Sequence, residues 1–152
     1  MNDKIIWLAR YEGFFRHICR GIRNGDEACM KQSAHFYAAM LPERAVVIPM
    51  PGHTGEATTM LQVANEISKI RKDIRVWNGL HAVPHVSNYA QKRIGIVPDP
   101  IKMTAQRLLL KCEEKPCIID NVIVSGVTAQ AALYAIGLSE ALVFCLCKDM
   151  WR

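Results

Sequence analysis

A carboxylate followed closely by a serine, a glycine and a threonine is the pattern in this sequence that most suggests chemistry. The segment CIIDNVIVSGVTAQAAL places Asp120 at the end of an apolar run, and Ser125, Gly126 and Thr128 come just before helix-forming residues. Backbone N–H groups at a helix start lack partners and carry about half a positive charge. A glycine there lets an anion approach the backbone, and the two hydroxyls add donors. The pattern is typical of a phosphate-binding loop, beside a carboxylate that suits sugar hydroxyls or a metal ion.

The same residues also have a purely structural interpretation. Ser125 or Thr128 would then only cap the helix, and Asp120 would be a turn residue at the end of a strand. Spacing alone does not separate the two interpretations, so the surrounding elements have to decide.

After residue 44 the sequence alternates between strand and helix patterns. Short apolar runs rich in β-branched residues are typical of strands buried on both faces of a parallel sheet. We predict strands at residues 45–48, 73–77, 116–120 and 140–147, and helices at residues 53–70, 101–112 and 126–137. Thr54 is a predicted cap of the first of these helices, and Gly137 is predicted to end the last. This order predicts an α/β fold: a Rossmann-like open parallel sheet of four or five strands, with right-handed crossovers and flanking helices.

The N-terminal third of the chain has a different pattern. Residues 3–23 carry apolar residues at a spacing that predicts one amphipathic helix, and Asp26 is predicted to cap a second helix that ends near Met40. We therefore predict a helical extension, or hood, over residues 1–42, packed on an α/β core of residues 44–147 in a single domain that spans residues 1–152. Residues 78–100 predict a long irregular loop, which in a compact domain is usually functional or mobile.

Composition excludes several classes of protein. The 152 residues carry a net charge of +5 without any block of consecutive Lys or Arg, which does not predict a nucleic-acid surface. No apolar run approaches the roughly 20 residues that span a bilayer, and the N-terminus does not resemble a secretory signal, so we expect a cytoplasmic protein without a membrane partner. The six cysteines form no C-x-x-C pair, and neither a disulfide framework nor a zinc site is predicted.

The segment IIDNVIVSGVT resembles the ribose-phosphate signature of the type I phosphoribosyltransferases. That signature is an apolar strand, two acidic residues, two apolar residues and a loop of the Thr-Thr-Gly-x-Thr kind. Asp120 and Asn121 stand at the acidic pair, which in the family contacts the ribose hydroxyls of phosphoribosyl pyrophosphate (PRPP). The loop, which holds the 5′-phosphate, matches Val124, Ser125, Gly126, Val127 and Thr128. This sequence departs from the signature at two positions, since Asn121 replaces an acidic residue and Val124 replaces a hydroxyl residue.

Two further segments fit the resemblance, which covers roughly residues 44–147. VVIPMPGHTG, residues 46–55, resembles the pyrophosphate-binding turn of the competence-type branch of the family. The implied pyrophosphate contacts are Gly52, His53, Thr54 and Gly55. Residues 78–100 stand where the family has a flexible loop, with Lys92 and Arg93 as candidate cations. An ordinary turn and a solvated basic pair are the respective alternatives.

The resemblance implies the type I phosphoribosyltransferase fold and a Mg²⁺-dependent transfer of the phosphoribosyl group from PRPP to a nitrogenous, nucleobase-like acceptor, with release of pyrophosphate. Asp120 and Asn121 would be the catalytic pair, and Asp120 would hold the Mg²⁺ indirectly. The partners would be PRPP and an unidentified base, and a homodimer is compatible with this reading. The alternatives are a PRPP- or nucleotide-binding regulatory protein without turnover, which the two departures favour, and a partner in DNA uptake. The four-cysteine zinc module of the competence-type proteins has no counterpart here, because only Cys19 and Cys29 lie in the N-terminal region.

Overall fold

A five-stranded parallel sheet forms the centre of the computed structural model, which describes residues 3–87, 90, 93–95 and 101–150. The strands are β1 (Ile5–Arg10), β2 (Ala45–Pro49), β3 (Arg75–Val76), β4 (Leu80–Ala82), β5 (Met103–Ala105), β6 (Lys115–Ile123) and β7 (Leu142–Lys148). The helices are α1 (Gly13–Arg23), α2 (Glu27–Met40), α3 (Thr59–Ile70) and α4 (Val127–Ile136). None of these helices is long and apolar enough to cross a membrane. The sequence prediction of an α/β fold with an open parallel sheet is confirmed.

The order of the strands in the sheet is β1-β7-β6-β2-β3, and β4 pairs antiparallel with β5 in a separate ribbon. From β2 the chain passes through α3 to β3 on one side, whereas from β6 it passes through α4 to β7 on the other side. The connections therefore diverge between β2 and β6. Such a switch point leaves a crevice at the carboxyl ends of the two strands.

Two apolar layers hold the sheet, one on each face. Helices α1, α2 and α3 cover one face, where Ala45 and Val47 of β2 meet Ile67 of α3. Helix α4 and the β4–β5 ribbon cover the other face, where Val46 and Ile48 are buried. Alternate residues of a strand point to opposite faces, and β2 is buried along its whole length because both faces are covered.

Two predicted helix ends are confirmed by their hydrogen bonds. The Asp26 side chain accepts a hydrogen bond from the Cys29 N–H group at 3.0 Å and so caps α2. Gly137 follows α4 with a left-handed φ of 68°, the conformation that favours glycine after a helix. In contrast, Thr54 is not a cap, because α3 begins only at Thr59.

The prediction of one helix over residues 3–23 is wrong. The first half of this segment is strand β1, which pairs in parallel with β7, and only the second half is a helix, α1. The strand that pairs with β1 lies far away in the sequence, and local spacing cannot reveal such a partner. Residues 1–42 are therefore not a separate helical hood, since their described part supplies the edge of the sheet and two helices of one layer.

The predicted helix over residues 101–112 is also wrong. This segment contains β5 and continues in an irregular conformation. Leu108 and Leu110 pack against the core while Leu109 between them is exposed, which is a period of two and not the period of a helix. Of the predicted loop over residues 78–100, residues 88, 89, 91, 92 and 96–100 lie outside the described residues. Among the described ones, β4 is a strand that pairs with β5, so the loop prediction is wrong there.

Candidate functional site

A cleft of about 200 Å³ lies at the carboxyl ends of β2, β6 and β7, beside the switch point of the sheet. Its two long rims are residues 50–53, which follow β2, and residues 122–129, which end β6 and begin α4. Asp120 lies between these rims. The position agrees with the general rule that open parallel sheets bind ligands outside the carboxyl ends of their strands.

Asp120 is a titratable group of the cleft whose pKa is shifted from its ordinary value. Burial raises the pKa of its carboxyl group to about 6, while the Asn121 N–H group donates a hydrogen bond to Oδ1 at 2.8 Å. The Tyr37 hydroxyl, which is fully buried, donates to the Asp120 carbonyl oxygen and fixes the backbone at this point. The cleft therefore presents a carboxylate that ionises close to neutral pH and whose main chain is held firmly.

Asn121, which the sequence paired with Asp120, has a different environment. Its Nδ2 donates a hydrogen bond to the Cys19 carbonyl oxygen of α1 at 2.8 Å. Its Oδ1 is buried, and no hydrogen-bond partner for it occurs among the residues that the structure describes. The Asn121 side chain thus ties α1 to β6, and of the predicted catalytic pair only Asp120 lines the cleft.

The predicted phosphate loop lies along one rim, and all five of its residues line the cleft. Gly126 is the N-cap residue of α4, with a φ of 86° in the left-handed region that favours glycine. It has no side chain to cap the helix, and the Ser125 Oγ accepts only a long hydrogen bond of 3.4 Å from the Val127 N–H group. The start of α4 therefore faces the cleft with its positive dipole end.

The opposite rim belongs to a tight turn in which two backbone N–H groups are already hydrogen-bonded within the turn. The Gly52 N–H group donates to the Glu56 carbonyl oxygen, and the Gly55 N–H group donates to the Gly52 carbonyl oxygen, both at 3.0 Å. Gly52 and His53 line the cleft, whereas Thr54 is exposed outside it and Gly55 is buried behind it. Of the four predicted pyrophosphate contacts, the structure brings two to the cleft.

The predicted cations of the long loop do not appear in the described part of the cleft. Lys92 lies outside the described residues, and Arg93 is exposed and is not among the residues that line the cleft. His85 and Ser87 line it instead. The backbone N–H group of His85 donates a hydrogen bond to the His53 carbonyl oxygen at 2.9 Å. The ring atom Nδ1 of His85 makes a hydrogen bond with the Val83 carbonyl oxygen at 3.0 Å. A carbonyl oxygen only accepts, so Nδ1 carries a proton and Nε2 is the nitrogen that remains for a ligand.

Sequence reasoning missed three residues at the far end of the cleft, namely Tyr11, Arg23 and Asp149. Tyr11 follows β1 and Asp149 follows β7, so both lie at carboxyl ends of parallel strands. The predicted strand over residues 140–147 was a signal that could have found Asp149. Tyr11 had no such signal, since the spacing of residues 3–23 predicts a helix and not a strand.

The donor set of the cleft fits Mg²⁺ only as an ion held largely by a bound phosphate compound. Within the described ranges no group of three His, Cys, Asp or Glu side chains could hold a metal ion. Asp120 and Asp149 nevertheless both line the cleft. Mg²⁺ characteristically keeps several waters and takes one or two carboxylates together with substrate phosphates, which agrees with this set.

Comparison with known proteins adds no family to this picture. No protein-family model matches the sequence, and no curated protein matches it significantly. The functional conclusion therefore depends on the cleft and on the resemblance of residues 118–128.

Proposed function

We propose that this protein is a phosphoribosyltransferase, which binds PRPP with Mg²⁺ and transfers the phosphoribosyl group to a nitrogenous acceptor with release of pyrophosphate. The observation that carries the proposal is the convergence of Asp120, residues 124–128 and the Gly52–His53 turn on one cleft at the switch point of the sheet. Asp120 and residues 124–128 are neighbours in the sequence, whereas the Gly52–His53 turn lies far from them. Together they carry the three parts of the resemblance that bind ribose, phosphate and pyrophosphate.

The rim formed by residues 124–128 is the proposed seat of the 5′-phosphate. The start of α4 provides backbone donors and a favourable dipole for an anion. Gly126 has no Cβ atom, and the nearest atoms to the Cβ position are Ile5 and Ile123 methyl groups at 3.7 and 3.8 Å. A glycine at this point lets an anion approach the backbone closely.

Asp120 is the residue proposed to act on the ribose. Its pKa of about 6 leaves the carboxylate ionised at neutral pH, so it can accept hydrogen bonds from the ribose hydroxyls. A negative charge in a partly buried site also stabilises the positive charge that develops at C1 when the bond to pyrophosphate breaks. The chain forms no covalent bond in this scheme, and its contribution is positioning and electrostatics.

The leaving pyrophosphate is proposed to lie against His53 and His85 on the turn side of the cleft. The hydrogen bond between the His85 N–H group and the His53 carbonyl oxygen holds the two residues together. Bound Mg²⁺ would neutralise negative charge on the phosphate oxygens, with Asp120 and Asp149 as the carboxylates within the same cleft.

Isothermal titration with PRPP in the presence of Mg²⁺ tests the proposal, with ribose 5-phosphate as the comparison ligand. We expect Mg²⁺-dependent binding of PRPP that is tighter than that of ribose 5-phosphate, followed by pyrophosphate release when nucleobases are screened as acceptors. Absence of binding for both compounds would contradict the assignment of the cleft.

A PRPP- or nucleotide-binding regulator without turnover is the second candidate, and Asn121 favours it. The Asn121 side chain is engaged with α1, so the cleft has one carboxylate where the resemblance implies two acidic residues. PRPP binding without pyrophosphate release for any acceptor would support this candidate. A gel shift with DNA and RNA at low and high salt would then test for a nucleic-acid partner, because phosphate contacts give a steep dependence on salt.

A further inference from the structure

Two cysteine thiols meet inside the protein directly below the cleft. Cys19 of α1 and Cys147 of β7 place their sulfur atoms 3.3 Å apart, and both residues are fully buried. The other cysteines are also free thiols, of which Cys112 is exposed while Cys29, Cys117 and Cys145 are buried. These other cysteines can therefore serve as controls for the reactivity of the Cys19–Cys147 pair.

The pair shares one hydrogen bond, and this bond makes its two sulfurs unequal. The Cys19 S–H group donates to the Cys147 sulfur. A hydrogen bond stabilises negative charge on the atom that accepts it, so the Cys147 sulfur is assigned the first attack.

We propose that Cys19 and Cys147 are an oxidative modification site, which a peroxide converts into a disulfide between α1 and β7. In the first step the Cys147 sulfur attacks a peroxide oxygen, the O–O bond breaks, and sulfenic acid and one water form from hydrogen peroxide. In the second step the Cys19 sulfur displaces the hydroxyl group, which leaves as a second water, and the S–S bond forms. Both thiol protons end in water, and the two electrons lost by the sulfurs reduce one peroxide molecule.

The geometry requires only a small movement. A disulfide has a sulfur–sulfur distance of about 2.05 Å, so the two atoms would approach each other by roughly 1.2 Å.

The position of the pair links it to the floor of the cleft. The Cys19 carbonyl oxygen accepts the Asn121 side chain, and Arg23, one helical turn further along α1, lines the cleft. On the sheet side, Cys147 is the register partner of Val122, which also lines the cleft. A disulfide would therefore lock α1 to the sheet beneath the cleft. This inference goes beyond the proposed transferase activity and does not depend on it.

The first experiment is mass spectrometry of the full chain with Cys112→Ser, a change that removes the exposed thiol and with it disulfides between chains. The folded protein is treated with hydrogen peroxide, then unfolded and alkylated. We expect the loss of two hydrogen atoms and a Cys19–Cys147 cross-link after proteolysis, with Cys29 and Cys117 still alkylated. Full alkylation of Cys19, or sulfenic or sulfinic acid without the cross-link, would overturn the proposal.

Matched variants and thermal unfolding show whether the disulfide belongs to the folded state. In the same background, Cys147→Ser should abolish the cross-link, whereas Cys29→Ser should retain it. Because the link joins residues 128 positions apart, oxidation should raise Tm by on the order of 10 °C, and a reductant should reverse the shift. A cross-link that forms without any rise in Tm would show that it does not lock the folded state, and it would also overturn the proposal.

Discussion

The two rims of the cleft differ in what their hydrogen bonds leave for a ligand. On the β6–α4 rim, residues 122–129, the helix begins at a glycine that has no side-chain cap, and all five loop residues line the cleft. The turn rim, residues 50–53, belongs to a turn in which the Gly52 and Gly55 N–H groups are already bonded. Both rims match the resemblance in sequence, but only the first contains the start of a helix, and this start faces the cleft. A motif therefore fixes residue types, whereas the local hydrogen bonds fix which donors a ligand can use.

The largest effect that would sharpen this comparison is expected from Gly55→Ala on the turn rim. Gly55 has a φ of 103°, and a Cβ atom there would lie 2.7 Å from the Ala82 carbonyl oxygen. We expect the free energy of unfolding to fall by about 2–4 kcal/mol, measured by chemical denaturation.

Gly52→Ala is the matched control, because its Cβ atom would meet the Glu56 carbonyl oxygen at an ordinary 3.7 Å. Its free energy of unfolding should change by less than about 1 kcal/mol. Equal losses for the two variants would break the assignment of Gly55 as the residue that fixes the turn.

Between the two rims, Asp120→Asn should weaken PRPP binding by roughly 10- to 100-fold, since hydrogen bonds to a charged acceptor are lost. Titration calorimetry at neutral pH with Mg²⁺ measures the effect. Asp73→Asn is the control, because Asp73 pairs with Arg71 outside the cleft and the change should leave PRPP affinity unaltered. An unchanged affinity for Asp120→Asn would remove this residue from the ribose site.

The same variant should gain stability while it loses binding. The folded state raises the Asp120 pKa from 3.8 to about 6, so between these pH values the native protein binds more protons than the unfolded chain. Stability contributed by this group is thus present below about pH 4 and is lost as the pH rises to about 6. Asp120→Asn should therefore be more stable than the parent by about 1–3 kcal/mol at pH 7, and equal to it near pH 4.

Denaturation curves at both pH values test this expectation. If the parent and Asp120→Asn differ in free energy of unfolding by the same amount at pH 7 and at pH 4, burial does not raise the pKa of the Asp120 carboxyl group.

The smallest effect concerns the start of α4. Gly126→Val should lower the free energy of unfolding by about 1–2 kcal/mol because of the left-handed φ, whereas Gly126→Asn should cost only a few tenths, since asparagine tolerates this region. Steric crowding by the protein is not the cause, because the nearest atoms to a Cβ are at 3.7 Å.

The affinity for PRPP separates backbone strain from ligand approach at this position. If Gly126→Asn keeps its stability but loses affinity, a side chain blocks the phosphate, as the sequence interpretation requires. If it keeps both, the phosphate does not lie against Gly126.

Much of the core and half of the site could be predicted from local pattern. The runs that became β2, β6 and β7 are apolar because both faces of the sheet are covered, and Gly137 ends α4 where its conformation demands glycine. The sequence could also predict that residues 124–128 precede a helix, since a helix start after a strand is a local feature. The two incorrectly predicted helices could not be corrected from local sequence, because β1 forms by pairing with β7 and β5 forms by pairing with β4.

The sequence by itself determined the alternation of strands and helices, the positions of Asp120 and Gly126, and the order in which they follow one another. Only the tertiary structure decided that Asp120 enters the cleft while Asn121 turns to α1, because neighbouring strand residues meet different surroundings. It also brought Arg23 to the cleft and Cys19 to Cys147. These contacts join segments that are distant along the chain, and they arise only when α1 packs on the sheet.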